Sequence, residues 1–228
     1  MVPSVPYQDS TPVLMARYTD PVCKRCRREG MKLYLKAARC YSPKCPIDRD
    51  NRNKPPGMHG ARKGKLSEYG VRLREKQKLK FFYGVLERQF RRYFALAAKS
   101  PENTGEELLS VLERRLDNVI HRLGFAPNRA SARQLVRGGH VTVNDHPTDI
   151  PSALLRPGDT VKVKGRERSL KVARELMREG AKERIPDFLE VVPGEIPEGR
   201  LTRMPSRGDV DPRISDIREQ LIIEIATR

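Results

Sequence analysis

The four cysteines of this 228-residue chain fall into two close pairs, Cys23 with Cys26 and Cys40 with Cys45, and thirteen residues separate the pairs. Two such pairs can present four thiolates to one tetrahedral zinc ion, because each pair brackets one side of the ion. The alternatives are two disulfides, which a reducing cytosol disfavours, or four buried thiols, which seldom occur as two tight pairs. The spacing predicts one structural zinc ion, since four protein ligands leave no open position for a substrate.

Basic side chains surround these cysteines and would favour the thiolate form of the ligands. They are Lys24, Arg25, Arg27, Arg28, Lys32, Lys36, Arg39 and Lys44. We therefore expect residues 15–50 to form a zinc-stapled, basic knuckle that faces RNA.

A second chemical signal is the recurrence of Arg129, Arg133 and Arg137 at every fourth residue. Guanidinium groups one helical turn apart point the same way and make forked hydrogen bonds to phosphate, as a nucleic-acid backbone requires. The alternative is a solvated helix face, which charge repeats usually are. The repeat by itself leaves both interpretations open.

Two helices and a pair of strands would position this arginine stripe. Apolar residues at 112, 116, 119, 120 and 123 follow a helical period and leave the other face charged. Asn128 is a good N-cap for a second helix, which Gly138 and Gly139 would end. The runs 141–143 and 161–163 alternate as strands do, with a turn at Asn144 after the first.

The charge of the chain indicates a polyanionic partner such as RNA, DNA or an acidic membrane. The net charge is +17 and the pI is near 10.1. Residues 15–100 hold 24 Lys and Arg against 7 Asp and Glu, whereas residues 101–228 hold 22 against 21. With 37% hydrophobic residues and no Trp, the chain can support one or two modest cores rather than a large enzyme core. The absence of a long apolar run and of a secretion signal predicts a cytosolic location.

Along the chain, composition divides the remaining residues into distinct segments. Residues 1–14 have the Pro, Ser and Thr content of a flexible extension, and Met15 is a second possible start, so a true extension or a misplaced start codon would both fit. Residues 46–70 form an irregular basic arm that would be ordered by phosphate contacts. In this arm His59 is interpreted as a turn or RNA-contact residue, because four cysteines already complete a zinc site.

Helical spacing returns from Val71 to Ala98, and its aromatic residues could either stack on bases or pack in a core. Their regular spacing favours the core. The stretch 100–105 predicts a domain boundary, 169–181 another helix, 186–212 short strands and loops, and 220–225 an apolar strand that packs onto an earlier element.

The order of signals from the first helix to the second strand resembles the small RNA-binding module named after small-subunit ribosomal protein four. From Met15 onward the whole chain resembles the bacterial family of that ribosomal protein. The matching segments are Met15-Ala16-Arg17-Tyr18, the four cysteines, Tyr41-Ser42-Pro43-Lys44-Cys45, Pro55-Pro56-Gly57-Met58-His59-Gly60, Val71-Arg72-Leu73-Arg74-Glu75-Lys76-Gln77-Lys78, Glu87-Arg88-Gln89-Phe90 and Arg115-Leu116-Asp117-Asn118-Val119. Residues 1–14 and the run 48–54 depart from the family pattern.

The resemblance implies an α+β fold with four parts. They are a flexible extension at 1–14, the zinc knuckle at 15–50, a basic arm and helical domain at 51–105 completed by 185–228, and the inserted RNA-binding module at 112–176. The module would consist of two helices packed on short antiparallel strands.

The resemblance also implies a function: a structural constituent of the small ribosomal subunit that binds its ribosomal RNA first, nucleates assembly of the subunit body and contributes to translational accuracy. Its partners would be this RNA, neighbouring ribosomal proteins, notably protein five, and messenger RNA where it enters the subunit, with no membrane and no homo-oligomer. Arg62, Lys63 and Lys65 match the basic residues near the messenger RNA.

Charge pattern and resemblance together give the candidate RNA contacts. They are Arg17, Tyr18, Lys24, Arg25, Arg62, Lys63, Lys65, Arg72, Arg74, Lys76, Lys78, Arg115, Arg129, Arg133, Arg137, His140 and Asn144.

Enzymes that carry the same module are the rival interpretation. The sequence Arg115-Leu116-Asp117 resembles the R-L-D element of pseudouridine synthases, whose aspartate is a nucleophile, but here we interpret Asp117 as an exposed helical carboxylate. A tyrosyl-tRNA synthetase would need a nucleotide-binding domain, and the chain has neither a Gly-rich phosphate loop nor a recognisable Ser/His/Asp set. The sequence therefore predicts no catalytic residues. A free RNA chaperone or a repressor of its own message remains a third class.

Overall fold

The computed structural model of the chain describes residues 18–58, 60, 64–101, 103–179 and 185–227. Its N-terminal part holds two short helices, α1 (Cys23–Glu29) and α2 (Ala38–Tyr41), followed by a 3-10 turn at Pro46–Asp48. Helix α1 ends because Gly30 adopts the left-handed conformation at φ 70°, which glycine takes without steric cost. The predicted extension, residues 1–14, lies outside the described residues.

A helical domain follows the N-terminal part. Its helices are α3 (Glu68–Tyr83), α4 (Glu87–Ala97), α5 (Thr104–Glu113) and, from the end of the chain, α9 (Glu219–Ala226). The side chains of Ser67 and Asn103 accept hydrogen bonds from the first turns of α3 and α5, as N-caps do. The aromatic residues with helical spacing lie in this core: Phe82, Phe90 and Tyr93 are buried, which confirms core packing over base stacking.

The predicted helix over residues 112–123 is in fact two helices. Helix α5 ends at Glu113, Arg115 has extended backbone angles, and α6 (Leu116–Arg122) starts in a new direction. The backbone N–H groups of Leu116 and Asp117 donate to the carbonyls of Ala153 and Pro151. Every residue of α6 is buried, including the charged Asp117 and Arg122 of its predicted charged face.

The inserted module continues from α6 through α7 (Arg129–Arg137), β1 (Val141–Val143), β2 (His146–Pro147), β3 (Thr160–Val163) and α8 (Glu167–Glu179). Asn128 caps α7 by accepting a hydrogen bond from Ser131 N, and β1 turns into β2 through Asn144 and Asp145 at φ 49° and 64°. Two consecutive positive φ angles are the signature of the tight hairpin turn that matches strand twist. The predicted α7 and its Asn128 cap, and the predicted strands, are confirmed.

The sheet of the module extends beyond the predicted limit at residue 176. Strands β4 (Leu189–Val192) and β5 (Glu198–Leu201) join it to give the antiparallel order β2-β1-β3-β5-β4. Phe188, Leu189 and Leu201 share a core with the buried residues of α6 and α7. Only the part of the chain after β5, with Val210, Ile214 and Ile222, completes the helical domain. The segment 185–201 therefore belongs to the module rather than to the helical domain.

The predicted apolar strand at 220–225 is wrong, because these residues lie in α9. Helix α9 packs along α3 and α5, and Ile222 is buried against them. A second expectation also changes: residues 100–105 link α4 to α5 inside the helical core instead of marking a domain boundary. Among the described residues, no helix is long and apolar enough to cross a membrane.

Candidate nucleic-acid interface

The four cysteines lie in one small unit, two of them on α1, one on α2 and one at the start of the 3-10 turn. Cys26, Cys40 and Cys45 are buried, and all four are free thiols. The backbone N–H of Lys36 donates to Cys40 Sγ over 3.3 Å. In the described part of the chain, however, no three Cys, His, Asp or Glu side chains are arranged as a metal-binding group.

Burial controls the acidity of two of these thiols. Burial, assisted by the charges of Cys40, Cys23 and Cys45, raises the pKa of Cys26 to about 11. Burial also raises the pKa of Cys40, and the neighbouring Lys32 only partly opposes this. For Cys26 and Cys40, the expectation that the basic surroundings favour thiolates therefore fails, because desolvation outweighs the nearby cations.

The arginine stripe does not face outward as one surface. Arg129 lies over the Phe82 ring with its guanidinium carbon 3.9 Å from the ring centroid. Its Nε donates to Asn118 Oδ1 at 2.8 Å, and its Nη2 lies 3.2 Å from Asp211 Oδ2. Helix α7 thus turns this residue towards the helical domain and away from a phosphate backbone.

Arg133 also points inward. Its Nη2 lies 3.0 Å from Asp117 Oδ2, and its Nη1 donates to the carbonyl of Gly84 at 3.4 Å. Of the stripe, Arg137 is exposed. The sequence left two alternatives for α7, an arginine stripe that faces RNA and a helix face in solvent. Neither describes the structure, because Arg129 and Arg133 hold the module against the helical domain.

Arg115 is completely buried, and its selection as an RNA contact was wrong. Its Nε and Nη2 donate to the two carboxylate oxygens of Asp117 at 3.0 and 2.5 Å, and its Nη1 donates to the hydroxyl of Tyr93. Asp117 is only 2% exposed, so its interpretation as an exposed helical carboxylate was wrong too. A forked pair of this kind, buried away from solvent, is held inside the fold rather than presented to RNA.

Sequence reasoning missed a second buried group of charges around Asp211. This carboxylate lies 3.7 Å from Arg122 Nη1 and accepts from Arg213 Nε at 2.9 Å. Burial alone would raise the pKa of Asp211, but Arg129, Arg213 and Arg122 hold it at about 2. Glu113, which accepts from the Tyr83 hydroxyl at 2.6 Å, lies on the same interface. Apart from Arg213, the arginines around Asp211 come from distant segments, so no local spacing marks this group.

The basic residues predicted on α3 are neutralised by carboxylates of the fold. Arg74 pairs with Glu29 at 2.9 Å, and Lys76 pairs with Glu87 at 2.5 Å. The other predicted contacts on this helix follow the same pattern. They are Arg72, which pairs with Glu224 and Glu68, and Lys78, which pairs with Glu75. Arg72, Arg74 and Lys76 thereby tie α3 to α9, α1 and α4, whereas Lys78 pairs within α3.

Two other surfaces of the described chain carry clusters of basic side chains. The knuckle surface comprises Lys24, Arg28, Lys36, Arg39, Lys44, Arg49, Arg52, Lys54 and Lys65. The module surface comprises the exposed Arg137, Arg166 and Arg168 together with the half-buried His140 and Lys164. Of the predicted contacts, these surfaces include Lys24, Lys65, Arg137 and His140.

His140 joins the members of the module surface. Its Nδ1 is 2.9 Å from Ser169 Oγ on α8. Partial burial lowers the pKa of this imidazole, and the charges of Arg168 and Lys164 lower it further, so these cations lie close to the ring. Arg168 on α8 therefore shares one positively charged patch with His140 and Lys164, which lie side by side where β1 begins and β3 ends.

The last predicted contacts fall into two groups. Asn144 is exposed, but its amide oxygen accepts from Thr160 N at 2.9 Å and its Nδ2 donates to Asp159, so it holds the hairpin in place. Tyr18 lies against Arg25, whose guanidinium carbon is 3.6 Å from the Tyr18 ring centroid. Three predicted RNA contacts and the histidine of the basic arm lie outside the described residues: Arg17, Arg62, Lys63 and His59.

Two protein-family models match this chain, and the boundary between their matches falls where α5 ends. Residues 17–113 match the family model of the ribosomal protein S4/S9 N-terminal domain, and residues 114–161 match the S4 domain. The small ribosomal subunit protein uS4A of Alkaliphilus metalliredigens is 54% identical over 214 residues, which are 94% of this chain and 100% of that protein. The chain belongs to the ribosomal protein uS4 family.

Other members of the family match over the same share of both chains. The uS4A protein of Symbiobacterium thermophilum is 51% identical and the uS4 protein of Thermodesulfovibrio yellowstonii 49% identical, each over 94% of this chain and its own full length. The uS4 family consists of ribosomal proteins and not of enzymes. This excludes the pseudouridine synthase and tRNA synthetase interpretations.

Proposed function

We propose that this chain is a structural constituent of the small ribosomal subunit and binds small-subunit ribosomal RNA directly. The observation that carries the proposal is the full-length match to proteins named small ribosomal subunit protein uS4. The knuckle surface and the module surface supply the physical means, because exposed Lys and Arg side chains gain free energy by releasing counterions from RNA phosphates. Small ribosomal subunits of bacteria lie in the cytoplasm, so we expect the chain there.

The buried charges explain why two surfaces can act as one binding unit. The pair of Arg115 with Asp117 and the group around Asp211 fix the module against the helical domain. A rigid protein loses little conformational entropy when several RNA helices contact both surfaces at once. From this we infer a primary binder that holds an RNA junction early in assembly of the subunit body and so contributes to translational accuracy.

The finer partners are part of the same proposal. Ribosomal protein five would lie beside the chain, and Lys65, with its exposed side chain, would lie close to messenger RNA where it enters the subunit. We expect no membrane partner and no homo-oligomer.

Sedimentation of bacterial lysate containing the tagged chain tests the main proposal. We expect the chain to travel with the small subunit at moderate and at high salt, since a structural component is held by many contacts at once. A triple variant of the module surface, Arg137→Ala with Lys164→Ala and Arg168→Ala, should leave the subunit at a lower salt concentration. The matched control removes three exposed cations from α4, namely Arg88→Ala, Arg91→Ala and Arg92→Ala, and should stay bound.

Three results would count against the proposal. Migration as a free protein at moderate salt would reject the ribosomal role. Equal affinity for the ribosomal RNA and for an unrelated RNA of the same length, at the same salt, would favour a general RNA chaperone. Preferential binding to its own message would make it a repressor.

We also propose that Cys23, Cys26, Cys40 and Cys45 hold one structural zinc ion. Four free thiols within one small unit, three of them buried, have the donor chemistry that zinc prefers. Their arrangement must tighten on binding, because no three of them form a metal-holding group as described. The ion would join α1 to α2 and neutralise the charge of the ligands.

Metal analysis of the purified protein tests this site. We expect about one zinc per chain, and a Cys23→Ser and Cys26→Ser double variant should lose the metal together with helical signal, since structural zinc contributes on the order of 10 kcal/mol to small knuckles. A control variant, Ser42→Ala, changes a neighbouring side chain that is no ligand. Unchanged circular dichroism and RNA affinity in the double variant would refute the structural role.

A further inference from the structure

Two exposed aromatic side chains have very different surroundings. Among the Phe and Tyr residues that the structure describes, Tyr41 and Tyr69 are exposed, by 50% and 59%. A single exposed aromatic residue needs no explanation by itself, so the charges around each ring are what distinguish them. Tyr69 lies in the first turn of α3, where Arg72 already pairs with Glu68 and Glu224. Tyr41 ends α2, among the cations of the knuckle surface.

The segment that carries Tyr41 also forms a shallow groove. Three exposed cations and two small side chains line this groove, namely Arg39, Lys44, Arg49, Ala38 and Ser42. The lining contains no carboxylate, and Asp48, the first acidic residue after Tyr41 in sequence, pairs with Lys32 at 2.7 Å. A groove with charge of one sign attracts a polyanion, and arginine matches the geometry of phosphate. Because Ser42 directly follows Tyr41, the ring and the groove lie within reach of one nucleotide.

The side chain of Tyr41 is held from the protein side. Its ring centroid lies 5.2 Å from that of Tyr34, with an angle of 39° between the two rings. Its hydroxyl accepts a hydrogen bond from Nη1 of Arg213 at 3.3 Å, and the Arg213 guanidinium carbon lies 5.2 Å from the Tyr34 centroid. A ring that is positioned in advance and still half exposed loses little conformational freedom when a flat group stacks on it.

The backbone that leads into α2 is strained. Tyr34 has φ 49°, and Ala37, just before α2, has φ 42° with ψ −129°. Such angles are uncommon for residues with a side chain and cost free energy, and strained positions cluster at ligand-binding segments. The two strained residues set the positions of α2 and of the ring that supports Tyr41. The strain therefore lies in the segment that presents the exposed ring.

We propose that Tyr41 stacks on one unpaired base of the bound RNA and that the groove beside it holds the adjoining phosphates. The inference rests on the proposed binding to ribosomal RNA and names a contact within it. Every base has a face that stacks on an aromatic ring, and cations beside the ring hold the backbone of the strand. Bases inside a duplex already have both faces covered, so the nucleotide that stacks on Tyr41 is one splayed out of a helix.

Affinity of the full-length chain for small-subunit ribosomal RNA tests the inference. Tyr41→Leu should bind about tenfold more weakly, a change of about 1.4 kcal/mol that lies within the range for one stacked base. Tyr41→Phe keeps the ring and should bind as the wild type does. The matched control is Tyr69→Leu, which removes the other exposed tyrosine and should also leave the affinity unchanged. Circular dichroism and metal content should be equal in all four proteins.

The salt dependence separates stacking from charge. Stacking releases no counterions, so Tyr41→Leu should lower the affinity by the same factor at every salt concentration. Lys44→Ala removes a phosphate contact of the groove, and it should reduce the slope of log affinity against log salt by about one unit. A change of slope in Tyr41→Leu would contradict the stacking role.

The outcomes distinguish this inference from the main proposal. No binding of the wild type to the RNA would defeat the proposed function itself. Wild-type affinity in Tyr41→Leu would overturn the inference about Tyr41 alone, and so would equal losses in Tyr41→Leu and Tyr41→Phe, because the ring would then not matter. If Tyr41→Leu loses its helical signal or its metal, ultraviolet cross-linking of the wild type decides. A cross-link from Tyr41 to an unpaired nucleotide supports stacking, and cross-links confined to other peptides overturn it.

Discussion

Replacing Asp117 by Asn should destabilise the protein more than any surface substitution. The Asp117 carboxylate is 2% exposed and accepts the forked hydrogen bonds of Arg115, which is 0% exposed. It also pairs with Arg133, so one carboxylate balances two guanidinium groups. Asn keeps the size of the side chain and removes the charge, which leaves both cations buried without compensation.

The magnitude follows from the burial of the pair. Removing one partner of a buried ion pair costs about 3–5 kcal/mol, because the remaining charge has lost its water and its counter-charge together. Arg115 lies at the break between α5 and α6, so the cost falls on the junction of the helical domain and the module. We expect Asp117→Asn to lower the free energy of unfolding by about 4 kcal/mol.

Urea unfolding followed by circular dichroism measures this difference. The matched control is Asp145→Asn, which breaks the pair with Lys162 at 3.5 Å on a side chain that is 81% exposed. Asn tolerates the left-handed backbone of that turn, so the control should change stability by less than about 1 kcal/mol. A loss below about 1 kcal/mol for Asp117→Asn, or a loss equal to that of the control, would refute the reasoning.

Three further outcomes follow from the same structure. The pKa of Asp211 is lowered from its ordinary 3.8 to about 2. The ionised carboxylate therefore contributes to the free energy of unfolding above pH 4, and this contribution is lost as the pH falls towards 2. In acid titrations, the difference in unfolding free energy between the wild type and Asp211→Asn should shrink over that window. Arg137→Ala should lower RNA affinity and reduce the salt slope by about one unit without changing the unfolding midpoint, whereas Arg129→Ala should lower that midpoint. Ile222→Ala should cost about 3 kcal/mol in urea unfolding if α9 is part of the core, and a neutral result would contradict its packing there.

Local patterns were sufficient where a residue and its neighbours in sequence decide the backbone. Asn128 caps α7 and Asn144 turns the first hairpin, because each has a conformational preference that distant contacts do not alter. The aromatic spacing along α3 and α4 likewise predicted their buried face.

The same patterns failed where distant segments compete. The segment Gln220-Leu221-Ile222-Ile223-Glu224-Ile225 has the β-branched content of a strand, yet it forms α9 because α3 and α5 offer a groove that buries Ile222. No sheet edge competes successfully for it. Propensity is worth tenths of a kcal/mol per residue, which tertiary burial exceeds.

Three properties can be read from the amino-acid sequence alone. They are the basic character of the chain, its family, which short specific motifs indicate, and the four-residue period of the arginines in α7. The sequence could not decide which way those arginines point. A period of four places Arg129, Arg133 and Arg137 on one side of a helix, but Asp117 and Asp211 lie on other elements and turn the first two inward. The tertiary structure brings opposite charges together where water is excluded. In such a place, the distance and orientation of the two groups determine whether an ion pair forms, and the number of charges in the sequence does not.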